Sequence, residues 1–159
     1  MTSSDPRTVT VERVVPAPPH AIFEVLARPR WHGDLDGSGM VQGAPSGPDR
    51  LYLGARFTMA MRQGPLEYRS VNEVTEFEPG TVLAWRTTGQ WRGHTLVGGQ
   101  WWRYRLVPHE DGTLVRHSYE WGRARLAVVT IQLPRYPQRM ARTMPETLRR
   151  LEEIVLARR

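Results

Sequence analysis

Alternating apolar and polar residues predict that much of this chain forms β-strands. The first alternating run, residues 7–15, is rich in β-branched side chains and is broken by Pro16. Pro79-Gly80 and similar turn residues separate the later runs. The predicted strands cover residues 7–15, 55–62, 67–78, 81–88, 100–107 and 113–121. No helical pattern separates the last five, which favours antiparallel pairing between neighbours.

A helical period replaces this alternation at the end of the chain. Apolar residues spaced four and three apart predict a buried stripe along one long helix. The stripe consists of Met140, Met144, Leu148, Leu151 and Val155. Thr143 and Glu146 predict a capping box, with Pro145 in the first turn, so we expect the helix to start or restart near residue 143. A short helix is also predicted over residues 21–27, where apolar residues have core spacing.

A long irregular loop is predicted over residues 31–50. Five glycines and two prolines interrupt every period there, so no regular element is expected. Loops of this length in compact domains are usually functional or disordered. We interpret this one either as a gate over a pocket mouth, with His32, Asp34 and Asp36 near the entrance, or as a mobile solvent loop.

The start of this loop imitates a calcium-binding loop without meeting its requirements. Residues 34–39 read Asp-Leu-Asp-Gly-Ser-Gly, as in an EF-hand. The twelfth position is Pro45, where a bidentate glutamate is needed, and no helical pattern flanks the loop. We therefore predict no metal site at this position.

The strands and helices predict a single α+β domain covering residues 1–159. A sheet with one apolar face and one arginine-rich face needs a cover, and the C-terminal helix is the only predicted element long enough to provide it. We expect a strongly curved antiparallel sheet of six to seven strands around that helix, with one or two short helices after the first strand. A curved sheet diverges from a straight helix, and the space between them is a natural ligand cavity.

Composition excludes several kinds of chemistry. The chain has no cysteine, and all 22 of its basic residues are arginine, so thiolate chemistry and lysine Schiff bases are ruled out. No apolar run approaches the roughly 18 residues of a membrane span. The polar N-terminus lacks the apolar core of a signal peptide, so we expect a soluble, cytoplasmic protein. The net charge of +6 is spread along the chain rather than clustered, which argues against a nucleic-acid partner.

The order of several short segments resembles the polyketide cyclase/dehydrase and lipid transport family of the START-like, Bet v 1-like superfamily (SRPBCC). The similar segments include Leu53-Gly-Ala-Arg-Phe57 and Trp102-Arg-Tyr-Arg-Leu106. The full set covers residues 11–26, 53–57, 74–80, 83–86, 102–106, 112–115 and 147–151. This resemblance implies a helix-grip fold with a deep pocket for apolar or aromatic molecules. It does not choose between carriers, sensors and cyclases, because fold does not determine function.

Inward-facing positions of the predicted strands supply the candidate ligand-binding residues. They are Phe57, Met59, Met61, Tyr68, Asn72, Trp85, Trp102, Tyr104, His117 and Tyr119. The same side chains, with Trp121, could equally form an ordinary packed core. His117 is either a core histidine bonded to tyrosine or backbone, or an acid/base group. Asn72 could orient a carbonyl, but a one-residue slip in register would send it to solvent.

Two functions remain open on the sequence alone, with a third as the residual. The first is a carrier or sensor that binds a small hydrophobic or aromatic molecule, such as a lipid or polyketide. The second is a polyketide cyclase or dehydratase, with His117 or Asn72 as catalytic candidates. Binding is favoured because catalysis needs at least two converging ionisable groups and the sequence offers one. The third is a protein-interaction module. We expect no metal or organic cofactor, and a homodimer is possible.

Overall fold

The protein forms a seven-stranded antiparallel sheet that curves around a C-terminal helix. The computed structural model describes residues 7–91, 94–121 and 135–158. The strands are β1 (Thr8–Val15), β2 (Val41–Ser46), β3 (Arg56–Gln63), β4 (Leu66–Glu78), β5 (Val82–Trp91), β6 (His94–His109) and β7 (Gly112–Glu120). They lie in the order β1-β7-β6-β5-β4-β3-β2. The predicted α+β class, the curved sheet and its strand number are confirmed.

Within the described residues, three α-helices accompany the sheet. They are α1 (Pro19–Leu26), α2 (His32–Leu35) and α3 (Tyr136–Ala157), and a 3₁₀ turn at Pro29–Trp31 precedes α2. Helix α1 follows the proline-rich turn, with Pro19 at its first position, where the missing N–H is tolerated. Its apolar residues, including Ile22 and Phe23, are buried in the main core.

The prediction that residues 31–50 contain no regular element is wrong. This stretch contains α2 and the edge strand β2, which pairs with β3 through Val41↔Met61 and Gln42↔Ala60. Hydrogen bonds to β3 compensate for the poor strand propensity of these residues. Pro45 is tolerated because an edge strand leaves some N–H positions unpaired.

Residues 89–99, which lie between two predicted strands and were expected to form a loop, are also largely strand. Strand β5 extends to Trp91 and β6 begins at His94, while residues 92 and 93 lie outside the described ranges. The pairing passes from Thr87↔Gln100 to Thr88↔Gly98, so Gly99 is an extra residue with φ 83°. A glycine with positive φ is typical of a β-bulge, which bends and twists the strand without ending it. Glycines that suggested a loop therefore help to curve the sheet.

Helix α3 is continuous from Tyr136, so the predicted capping box is wrong. The Thr143 hydroxyl donates to the Arg139 carbonyl at 2.9 Å within the helix instead of capping an N-terminus. Pro145 lies inside the helix. Tertiary packing stabilises this continuous helix, because the whole predicted apolar stripe from Met140 to Val155 is buried.

The two halves of α3 have different surroundings. Leu148, Leu151 and Val155 in its second half join the main core with α1 and the sheet. Arg13 of β1 donates to Glu152 of α3 across the same region, with 2.9 Å between Nε and Oε2. The first half, from Met140 to Thr147, borders open space instead.

Candidate functional site

An internal cavity of about 140 Å³ separates the first half of α3 from the inner face of the sheet. Side chains from β3 to β7 form one wall, and α2 with residues 36–41 closes another side. Nine of the ten predicted ligand-binding residues line it. They are Met59, Met61, Tyr68, Asn72, Trp85, Trp102, Tyr104, His117 and Tyr119.

Phe57, the tenth predicted residue, lies behind the cavity wall. It is fully buried, and its ring meets His32 and Trp85 edge-on at centroid distances of 5.4 and 5.6 Å. Phe57 shares the inward face of β3 with Met59, as predicted. Helix α2 places His32 over Phe57, so this end of the face is packed rather than open.

Seven aromatic rings form a continuous layer across β5, β6, β7 and α2, with the last ring, Trp121, directly after β7. Cross-strand pairs such as Tyr104↔His117 and Trp102↔Tyr119 place successive rings side by side. The centroid distances along the layer are 5.2 Å for His32–Trp85, 5.9 Å for Trp85–Tyr104, 3.9 Å for Tyr104–His117, 5.7 Å for His117–Trp102, 4.5 Å for Trp102–Tyr119 and 5.6 Å for Tyr119–Trp121. These separations lie within the range of favourable aromatic pairs, or below it for Tyr104–His117, so the layer forms a stiff, mainly apolar wall.

His117 is a neutral imidazole with a defined tautomer. Its Nδ1 lies 3.2 Å from the carbonyl oxygen of Arg103, which can only accept a hydrogen bond, so Nδ1 carries the proton. Burial lowers the pKa of His117 to about 4, although the hydrogen bond to Arg103 opposes this shift. Nε2 is then an unprotonated acceptor at neutral pH, and it has no hydrogen-bond partner among the described residues.

His32 is a second buried histidine that we expected near the entrance. It lines the cavity from α2, and its Nε2 donates to the Leu26 carbonyl at 2.8 Å. Burial lowers the pKa of His32 to about 4 as well. Nothing in the local pattern identified it as an inner residue, because its position depends on how α2 folds onto β3 and β5.

Asn72 lies on the inward face of β4, as predicted, but its amide is occupied by the protein. Nδ2 donates to the Phe57 carbonyl at 3.2 Å and to the Ser70 hydroxyl at 3.3 Å. Oδ1 accepts from the Thr87 hydroxyl at 2.7 Å. This network joins β3, β4 and β5 in the cavity wall, and it satisfies both amide protons of Asn72.

Two tyrosine hydroxyls in the wall differ in their partners. Tyr119 donates to Gln100 Oε1 at 2.7 Å. The Tyr104 hydroxyl has no hydrogen-bond partner among the described residues. Burial raises the pKa of Tyr104 above its ordinary value, and the negative charge of Asp36 adds to this effect. The Tyr104 hydroxyl therefore remains protonated and is a free donor.

Residues 36–40, here called the covering segment, are fastened to α3. Arg150 donates to the Asp36 carbonyl and Arg139 to the Ser38 carbonyl, both at 2.7 Å. The Asp36 carboxylate accepts from the Ser38 and Val41 amides at 2.9 and 3.0 Å. In the motif that imitated a calcium loop, this carboxylate thus stabilises a turn. No cluster of three metal-ligating side chains occurs within the described ranges.

Methionines form the more adaptable part of the lining. Five of the six methionines of the chain border the cavity, from β3, α3 and the covering segment: Met40, Met59, Met61, Met140 and Met144. Only Met59 and Met61 were among the predicted site residues. Unbranched methionine side chains change rotamer readily, so this side of the cavity can adapt to a ligand.

A comparison with protein families identifies the chain. Residues 6–154 match the family model described as polyketide cyclase / dehydrase and lipid transport. The chain belongs to that family. This membership agrees with the resemblance noted in the sequence. It supports a ligand-binding helix-grip fold but does not specify a ligand.

Two curated relatives are uncharacterized proteins of Mycobacterium tuberculosis. Rv0088 of strain H37Rv is 35% identical over 92 residues, which cover 58% of this family member and 37% of the relative. MT0096 of strain CDC 1551 is 38% identical over 69 residues, which cover 43% of the chain and 31% of the relative. The chain thus spans about a third of the length of the curated relatives that it matches.

Solved structures share the fold of this family member at low identity. Ms6760 from Mycobacterium smegmatis has a TM-score of 0.70 at 16% identity, over 96% of this chain and 93% of that one. MLL2253 from Mesorhizobium loti has a TM-score of 0.65 at 21% identity, over 96% and 98%. The Aha1 dimer from Colwellia psychrerythraea has a TM-score of 0.62 at 15% identity, over 93% and 95%.

None of the helices within the described ranges is both long and apolar enough to cross a membrane.

Proposed function

We propose that this family member binds a small hydrophobic or aromatic molecule in the cavity under α3, as a carrier or sensor. The observation that carries this proposal is the lining, in which a continuous aromatic layer faces five methionines. Ligand pockets are mainly apolar and aromatic, with a few polar groups that orient the ligand. Tyr104 and His117 are such groups here.

The size of the cavity limits what fits without rearrangement. An apolar cavity of about 150 Å³ is large enough to bind benzene. The volume here is similar, about 140 Å³, so one ring fits as the side chains now stand. A fused polyketide or an acyl chain requires the methionines or the covering segment to move.

Binding is favoured over catalysis even though more ionisable groups converge than the sequence suggested. His32, Asp36 and His117 all line the cavity. However, burial lowers the pKa of each histidine to about 4, and a base of that pKa is weak at neutral pH. The Asp36 carboxylate stabilises the covering segment. These groups are better suited to orient a ligand than to remove a proton.

The outer face offers less support for an interaction module. Arg103 forms a two-bonded ion pair with Glu76, with both N–O distances at 2.9 Å, and Arg116 binds Glu12 at 2.7 Å. These arginines neutralise neighbours on the same face. Part of the positive charge on the outer face is therefore neutralised by ion pairs within the protein and does not attract an acidic partner.

Titration of the protein with toluene and with longer acyl or aromatic probes tests the proposal. We expect tryptophan emission to change saturably, since Trp85 and Trp102 line the cavity. Thr143→Met, which adds bulk to a lining residue of α3, should weaken binding at least about tenfold. Thr10→Met on the exposed face of β1 is the matched control. Unchanged emission and no calorimetric heat with any probe would refute the proposal.

A further inference from the structure

We infer that the ligand is an uncharged ring bearing a hydroxyl group, and that the cavity rejects an anion of the same size. This inference rests on the proposed function and specifies the ligand class of the same site. Three features of the described residues support it. Within those residues no cation lines the cavity, and the one lining carboxylate, that of Asp36, already accepts hydrogen bonds from the protein. Among the same residues, the Tyr104 hydroxyl is an unpaired donor, and Nε2 of the adjacent His117 is an unpaired acceptor.

No cation faces the cavity from the described residues. The chain carries 22 arginines, yet none of those that the structure describes lines the cavity. Arg139 and Arg150 reach the covering segment but donate to its backbone carbonyls. His32 and His117 are neutral at pH 7, because burial lowers the pKa of each to about 4. An ionised carboxylate would lose its hydration without gaining a counter-ion, which strongly disfavours its binding.

A cationic ligand fits no better. Asp36 is the only carboxylate among the described lining residues. Its Oδ1 accepts from the Ser38 amide and hydroxyl at 2.9 and 2.5 Å, and its Oδ2 accepts from the Val41 amide at 3.0 Å. Three donors already share this charge, so pairing with a ligand cation would compete with the turn that the carboxylate holds.

The unpaired polar groups match a hydroxyl. The rings of Tyr104 and His117 are stacked with 3.9 Å between centroids and 11° between planes, and both residues line the cavity. Tyr104 supplies an O–H donor, and His117 supplies the Nε2 acceptor, since its Nδ1–H is used by Arg103. A ligand hydroxyl can accept from the first and donate to the second. A ketone or ether can only accept, and would leave Nε2 without a partner.

Three para-substituted probes separate the alternatives at pH 7. They share a methyl-bearing ring of nearly equal size: p-xylene is apolar, p-cresol carries a neutral hydroxyl, and p-toluate is an anion. By calorimetry we expect p-cresol to bind at least about five times more tightly than p-xylene, because its hydroxyl makes two hydrogen bonds in the cavity. We expect p-toluate to bind at least about tenfold more weakly than p-xylene.

Tyr104→Phe tests the assigned donor and conserves the ring. It should reduce the preference for p-cresol over p-xylene, because only the hydrogen bond to His117 Nε2 remains, and leave p-xylene binding unchanged. Tyr52→Phe, at a tyrosine that is 57% exposed, is the matched control. If Tyr104→Phe keeps the full wild-type preference for p-cresol, the donor assignment is wrong. His117→Phe provides the same comparison for the acceptor.

The outcomes distinguish this inference from the proposed function. If p-toluate binds wild-type protein as tightly as p-cresol, charge selection is refuted while the cavity remains a binding site. If p-xylene binds as tightly as p-cresol, recognition of the hydroxyl is refuted, and the cavity again remains a binding site. If no probe binds, including p-xylene, the proposed function fails together with this inference.

Discussion

The backbone amide of Gly37 donates to the hydroxyl of Thr147 at 3.0 Å, which joins the covering segment to the middle of α3. The two backbones approach so closely that no side chain fits at position 37. A Cβ there would lie 2.6 Å from the Thr143 carbonyl oxygen and 3.0 Å from Glu146 Cβ. The glycine thus permits close docking of the segment that closes the cavity.

Gly37→Ala should therefore detach the covering segment from α3. We expect about 1–3 kcal/mol of destabilisation, as in other overpacked contacts, and faster exchange of ligand with solvent. Stopped-flow fluorescence with p-cresol measures the exchange rate, and chemical denaturation measures stability. Gly33→Ala is the matched control, since a Cβ at that position meets no atom closer than 3.8 Å. Equal exchange rates in both variants would show that the segment does not control access.

Stability should fall with pH below neutrality because of the buried histidines. Burial lowers the pKa of both His32 and His117 from 6.5 to about 4, so the unfolded chain takes up protons first as pH decreases. The free energy of unfolding is therefore greatest above about pH 6.5 and falls progressively down to about pH 4. Between pH 7 and pH 5 each histidine should cost about 2 kcal/mol.

Urea denaturation of histidine variants at pH 7 and pH 5 measures this dependence. His117→Gln should lose less stability between the two pH values than wild type, by about 2 kcal/mol. His20→Gln, on an exposed side chain of α1, should behave as wild type. A wild-type protein equally stable at both pH values would contradict the neutral state assigned to the imidazoles.

Asn72 should matter more to stability than to ligand affinity. Replacing it with alanine leaves the Thr87 hydroxyl without its acceptor at 2.7 Å and the Phe57 carbonyl without a side-chain donor. Unfolding should become easier by about 1–3 kcal/mol. A double-mutant cycle with Thr87→Val isolates the coupling between the two residues, and Thr88→Val on the same strand is the control. A large loss of ligand affinity with unchanged stability would instead assign Asn72 to direct recognition.

Apolar packing, and not the ion pair between β1 and α3, should dominate the attachment of the helix. Arg13 and Glu152 retain 39% and 19% side-chain exposure, and pairs that are this accessible typically contribute less than about 1 kcal/mol. Leu151 is fully buried, and Leu151→Ala should cost about 2–5 kcal/mol. Comparing the denaturation midpoints of Arg13→Met and Leu151→Ala tests this ranking. Equal losses would contradict it.

The sequence pattern predicted the inward-facing residues correctly where a single periodicity continued through a whole strand or helix. The alternation in β7 correctly placed His117 and Tyr119 on the inner face, and both are buried. The helical stripe of α3 was also correct. The pattern failed at β2 and at the start of β6, because hydrogen bonds to a neighbouring strand, together with bulges such as that at Gly99, overrode weak local propensity.

The sequence by itself determined which side chains face inward, because the two-residue period of a strand and the 3.6-residue period of a helix are local properties. It also excluded thiolate and lysine chemistry through composition alone. Only the tertiary structure decided which inward side chains meet open space. Phe57 and Met59 share one face of β3, yet Phe57 packs against His32 while Met59 borders the cavity. The difference depends on where α2 and α3 lie over the sheet. These helices are remote in sequence from β3, so no local periodicity determines how closely they pack against it.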